Sequence, residues 1–160
     1  MAAPVGSPSF EMRDIRKAFG ATRAVDGISL SVAPGEVCAL VGQNGAGKST
    51  LMSVLSGALA PDDGAMLLDG HPYKPGSPLD ARRAGVAMIY QELSLAPHLS
   101  VMENVVLGLE PTVRGLVDWP QVRRTAREAL TRLGHGDLPL DTPAGHLSIA
   151  LQQIVEIARA

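Results

Sequence analysis

VCALVGQNGAGKST, residues 37–50, is the stretch whose reading decides the fold. Residues 37–41 form a short, continuous apolar run, the pattern of a strand buried on both faces, in which Cys38 fills space. Gly42-Gln43-Asn44-Gly45-Ala46-Gly47-Lys48-Ser49 then fits the phosphate-loop pattern G-x-x-x-x-G-K-[ST]. The glycines let the backbone curl until successive N–H groups point into one hollow, where they bind phosphate oxygens. The loop feeds the N-terminus of a helix, whose partial positive charge adds to the attraction. In such a loop Lys48 reaches the β- and γ-phosphates, Ser49 Oγ ligates Mg²⁺ and Thr50 faces the α-phosphate. A glycine-rich turn that binds nothing is the competing reading.

Outward from the loop, apolar residues at 51, 52, 54, 55, 58 and 59 predict a helix buried on a broad face. Upstream, residues 10–19 suit an exposed strand, residues 28–33 alternate as a half-buried strand, and Pro34-Gly35 turns the chain. Downstream, Pro61 to Gly64 is a turn, AMLLDG a short strand and 71–78 a proline-rich loop. Residues 80–84 read as a short helix and VAMIY (86–90) as a second buried strand. After Gln91 the character becomes helical, over 100–109 and 120–133. Val122, Ala126, Ala129, Leu130 and Leu133 share one face of the latter, and Gly134 stops it. Arg123, Arg124, Arg127 and Arg132 lie off that stripe and read as a solvated face, or less simply as a nucleic-acid patch. LSIALQQIVEIARA reads as a helix opening at Ser148, whose hydroxyl can cap it.

Composition bounds these readings. The 160 residues carry 14 Lys+Arg against 16 Asp+Glu, a net charge of -2, which argues against a coat for nucleic acid or anionic membrane. At 46% hydrophobic and 3% aromatic the chain can fill an aliphatic core. One cysteine excludes an internal disulfide framework and suits a reducing compartment. No run approaches the roughly 20 apolar residues of a membrane span, and residues 1–9 read as a loose leader. The four histidines have no metal-site spacing; His71, His135 and His146 fall in loops and His98 in helical surroundings.

The chain resembles the ATP-binding subunits of ABC transporters, and within them looks most like the ATPases of bacterial importers of the ribose, galactose and xylose type. The residues that carry this are VGQNGAGKSTLMSVLSG, LDG at 68–70, SPLDARRAGVAMIYQELSLAPHLSVMENVVLG, Asp118-Trp119 and LSIALQQIVEIARA. That subfamily's signature reads like LSVGQQQ or LSIAQQQ followed by VEIAKAL, and the match extends from Phe10 to Ala160. The resemblance implies an α/β P-loop NTPase (ABC ATPase) core with an antiparallel β-subdomain and a helical subdomain, truncated before the Walker B strand. The implied division is an ATP-binding core and β-subdomain over 10–93 and a helical subdomain over 94–160 ending in the signature helix.

It also implies roles. Phe19 stacks on adenine, its alternative being strand-end packing. Residues 42–50 bind ATP and Mg²⁺, with Lys48 catalytic. Gln91 contacts Mg²⁺ and the attacking water and hinges the core to the helical subdomain; otherwise it is a polar strand cap. Ser148 meets the γ-phosphate held by an opposing domain, or is an ordinary helix cap. Leu151 departs from the family, which has glutamine there, and weakens communication across the dimer.

Implied partners are membrane permease subunits, a second nucleotide-binding domain closing a dimer sandwich and, indirectly, a periplasmic sugar-binding protein, with no nucleic acid; the implied place is the cytoplasmic face of the membrane, peripherally. The Asp-Glu strand (Walker B) and the switch histidine are not among these residues, so the resemblance implies that this chain alone is unstable and turns ATP over poorly. The alternatives are a non-catalytic nucleotide-binding fragment or interaction module and, against Gln91 and LSIALQQ, another P-loop enzyme such as a small-molecule kinase.

Overall fold

The computed structural model describes residues 9–90 and 92–160. Gln91 and all but Ser9 of the leader expected at 1–9 lie outside the described residues. The chain divides into two compact units, 1–86 and 87–160.

The first unit is built on β1 (Phe10–Phe19), β2 (Thr22–Val32), β3 (Asp63–Leu68) and the short β4 (His71–Pro72). They form an antiparallel sheet in the order β2-β1-β3-β4. β1, at the centre, keeps its apolar face inward only by breaking register. Phe10 and Met12 alternate correctly, but strict alternation would send Asp14 into the core. Asp14 instead takes a left-handed φ of 49°, the pairing shifts between Met12 and Ile15, and Ile15 is fully buried. α1 (Lys48–Leu55) packs Leu51 and Val54 into the same cluster as Phe10, Met12, Ile15, Val25, Met66 and Tyr73. The Tyr73 ring meets Phe10 edge-on at 6.3 Å, and its hydroxyl donates to the Leu55 carbonyl at 2.9 Å. α2 (Pro78–Arg83) is capped by Ser77 and contributes Ala81.

The two buried strands expected at 37–41 and 86–90 are not there. Neither run is paired. Val37 is 95% exposed, Val41 86% and Ile89 51%, although Val86 packs half-buried on the first unit's cluster and Met88 is half-buried too. Cys38 is exposed as well, so it does not fill a core. The physical reason is lateral. An apolar run becomes an inner strand only between two other strands, and no partner ladder for either run exists among the described residues. β2 also starts earlier than the alternation at 28–33 indicates, because the Gly20 turn (φ 59°) folds it directly back on β1.

The second unit holds α3 (Val101–Val106), a small hairpin of β5 (Thr112–Val113) and β6 (Leu116–Val117), α4 (Trp119–Arg132), a 3-10 turn at Ala144–His146 and α5 (Ile149–Arg159). Its core is Val101, Val105, Ala126, Leu130, Leu138, Leu140 and Val155. α4 buries Val122, Ala126 and Leu130 and stops at Gly134 (φ 77°). There the Gly134 N–H donates to Thr131 and the His135 N–H to Leu130, the two bonds of a Schellman stop. Three of the four off-stripe arginines bond within their own unit: Arg123 pairs with Asp141 at 2.6 Å, Arg124 holds Gln121, and Arg127 donates to the Gly136 and Leu138 carbonyls, while Arg132 is exposed. The Arg123 guanidinium beside Asp141 holds that carboxyl below the usual carboxylate range. His98, placed by sequence among packed helices, is exposed. Asn104, fully buried, accepts from the Ala96 N–H and donates to the carbonyls of Ala96, Leu99 and Ser100, so one amide pins the whole approach to α3.

Candidate functional site: a phosphate loop on a glycine-capped helix

The loop 42–47 turns into α1 at Gly47, which is the helix N-cap with φ 81° and ψ 4°. That conformation favours glycine, and so does the space: a Cβ at 47 would collide with the carbonyl oxygen of Ala24 on β2. Gly45 is left-handed too, at φ 84°. The loop is closed by the Ala46 N–H donating to the Gln43 carbonyl at 3.2 Å, and the helix ladder opens with Leu51 N–H to Gly47 at 2.9 Å. The helix end carries no side-chain cap and no acidic residue in its first turn. The other four α-helices are all capped by a side chain, from Ser77, Ser100, Asp118 and Ser148. A helix start lacking both a cap and a carboxylate keeps its partial positive charge for an external anion.

Lys48 bends back over the loop. Its Nζ donates to the Gly42 and Gln43 carbonyls, both at 2.7 Å. The ammonium is thus held at the loop mouth by groups that phosphate oxygens can replace. Ser49 is exposed and Thr50 half-buried. The residues present fit a triphosphate chemically: glycine backbone, an uncapped helix start, one fixed cation and a hydroxyl for Mg²⁺.

Phe19 stands 50% exposed at the end of β1, in the same unit as the loop. Lys17 lies 6.0 Å from its ring centroid while its Nζ holds Asp62 at 2.7 Å. Asp62 also accepts from the Ala18 N–H at 2.8 Å, and these two bonds, Lys17 first, keep its carboxyl below the usual range. The strand end that presents Phe19 is therefore fastened on the residue before it.

Ser148 belongs to the second unit. It is the N-cap of α5, exposed, and its Oγ accepts from the Leu151 N–H at 3.4 Å. Leu151 itself packs against the Val101/Leu130/Val155 cluster. A side chain so placed is absorbed by packing, which accounts for a leucine at that position. Sequence reasoning assigned nothing to Ser94, Glu156 or Arg159, although Ser148, Gln152, Glu156 and Arg159 fall at intervals of four, four and three along α5 and its cap, a polar stripe beside which Gln153 is the one further polar residue of the helix.

The sequence profile described as ABC transporter matches residues 25–160. The chain belongs to the ABC transporter family. It is 54% identical over 158 residues to the ribose import ATP-binding protein RbsA 2 of Burkholderia pseudomallei, covering 96% of this chain and 30% of that protein. It is 49% identical to the ribose import ATP-binding protein RbsA 2 of Escherichia coli O157:H7, with the same two coverages. Among solved structures, a nucleotide-free ATP-binding cassette from an ABC transporter superposes with a TM-score of 0.78 at 30% identity, over 96% of this chain and 64% of that one. An ATP-binding cassette in its ADP conformation gives 0.76 at 28%, over 95% and 63%. The α/β ABC ATPase fold read from the sequence is thus the fold of this family, with its antiparallel β-subdomain and its helices in place. The chain spans about 30% of the length of the curated relatives it matches. Among the described residues no helix is long and apolar enough to cross a membrane.

Proposed function

We propose that residues 42–50 bind the triphosphate of MgATP and that this ABC-family chain serves as the ATP-binding part of a carbohydrate importer. One observation carries the reading: among the five α-helices of the described residues, α1 alone begins without a side-chain cap, on a glycine too tightly packed to be anything else, with a lysine tethered at the mouth. Lys48 contacts the β- and γ-phosphates, Ser49 holds Mg²⁺, Thr50 faces the α-phosphate and Phe19 stacks on adenine. Gln91 serves Mg²⁺ and the attacking water, and Ser148 serves a γ-phosphate presented by a second nucleotide-binding domain. Bound Mg²⁺ supplies neutralisation of the charge developing on the phosphates.

We assign 10–93 to the ATP-binding core with its β-subdomain and 94–160 to the helical subdomain. The names of the relatives support ribose or a similar sugar as the transported class. Permease subunits, an indirectly coupled periplasmic sugar-binding protein and a peripheral position on the cytoplasmic face of the membrane belong to the same proposal. These 160 residues contain neither the Asp-Glu strand nor the switch histidine of the family, so alone they bind nucleotide with little turnover.

The test is equilibrium binding of a fluorescent ATP analogue with and without Mg²⁺, against Lys48→Ala. A hydrogen bond to a charged group is worth about 1.5–3 kcal/mol, so the variant binds ~10- to 150-fold more weakly. Equal binding by both proteins overturns the proposal.

A further inference from the structure

Glu156 is the buried carboxylate that the proposed nucleotide chemistry does not use. It sits on α5 and is only 5% exposed. Burying a carboxylate is costly unless hydrogen bonds compensate it, and here they come from a single distant residue. Glu156 Oε1 accepts from the Ser94 hydroxyl at 2.7 Å and from the Ser94 N–H at 3.2 Å. Arg159, one turn further along α5, donates to the Ser94 carbonyl at 3.1 Å. The N–H, hydroxyl and carbonyl of an exposed residue are thus all held by α5, across 62 positions in sequence.

Ser94 is the eighth residue of the second unit, and residues 87–93 contain no helix or strand among those described. The latch therefore fastens the start of the second unit, three residues after Gln91, to the polar stripe that begins at Ser148. These are directional hydrogen bonds to a neutral serine, so they fix how Ser94 sits on α5. A latch of three bonds on one residue is a device for register.

We propose that Glu156 is a positioning residue: through Ser94 it ties the start of the second unit to α5, so that nucleotide on residues 42–50 is felt at the Ser148 end of that helix. This rests on the nucleotide reading above.

Hydrogen exchange of the purified chain, with and without a non-hydrolysable MgATP analogue, separates the two. In wild type the analogue slows exchange at 44–51 and alters it at 148–152. In Ser94→Ala, an exposed position that spares the core, and in Glu156→Ala, slowing at 44–51 persists with analogue affinity within about twofold. The response at 148–152 falls about tenfold, the size of an ordinary coupling between sites. Glu156→Gln, which keeps an acceptor oxygen for the Ser94 hydroxyl, restores most of it. If Glu156→Ala does not fold, Ser94→Ala decides. A response at 148–152 that survives in Ser94→Ala overturns the latch, as does wild-type protein that responds at 44–51 but not at 148–152. Absence of any wild-type response at 44–51 overturns the nucleotide reading and the latch together.

Discussion

α1 and α5 meet the same difficulty, a turn of backbone N–H groups with no partner inside the helix, in opposite ways. α5 answers it internally: the Ser148 side chain turns back on the Leu151 N–H. α1 leaves it open, because Gly47 has no side chain to offer and its left-handed backbone admits none. The capped start is stable by itself and gives up hydrogen-bonding capacity. The uncapped start keeps that capacity for a ligand and depends on the sheet behind it, through Ala24, to hold its shape. Among the described residues four α-helices are capped by a side chain and one is bare, and the bare one is where we place the site.

Three substitutions press on this contrast, in order of effect. Gly47→Ala forces an L-residue into the left-handed region, at roughly 1–2 kcal/mol, and adds the collision with the Ala24 carbonyl. Analogue binding should fall ~100-fold or more, with a melting temperature lower by several degrees. Binding within about threefold of wild type would show that the loop is not the cradle.

Leu151→Gln restores the family's residue beside the capped start. A fully buried leucine contributes about 1.5–3 kcal/mol, and this one is half-buried, so denaturant unfolding should show a loss of about 1 kcal/mol. Analogue affinity at 42–50 should not move. An unchanged unfolding midpoint would mean that the side chain does not pack as described. Ser148→Ala removes the cap itself; at 3.4 Å that bond belongs at the low end of the cap range, about 0.5 kcal/mol in the same measurement. A loss above ~2 kcal/mol would make the hydroxyl a structural keystone rather than a group available to a ligand.

What could be read in the sequence follows the same division. Features that depend on near neighbours were legible: the glycine spacing of the loop, α1, the Gly134 stop of α4, Ser148 as a cap. Residues 114–115 escaped notice, yet Arg114 and Gly115, both with positive φ, close a two-residue hairpin between Thr112-Val113 and Leu116-Val117. An Arg-Gly pair is a weaker hairpin cue than Asn-Gly. Features that depend on distant partners were not legible. Ser94 and Glu156 are 62 positions apart, and nothing in QELSL says that its serine will meet a carboxylate. The runs at 37–41 and 86–90 have the composition of inner strands, but composition supplies only one side of a ladder. Asp14 is the intermediate case, because a charged residue at an inward phase announces a bulge to a reader who trusts the alternation on either side of it.

Val37 and Val41, bare to water beside the phosphate loop, with Leu40 partly exposed between them, also bear on how a cell treats this polypeptide. An exposed aliphatic run is what chaperones grip and what proteases find within their reach.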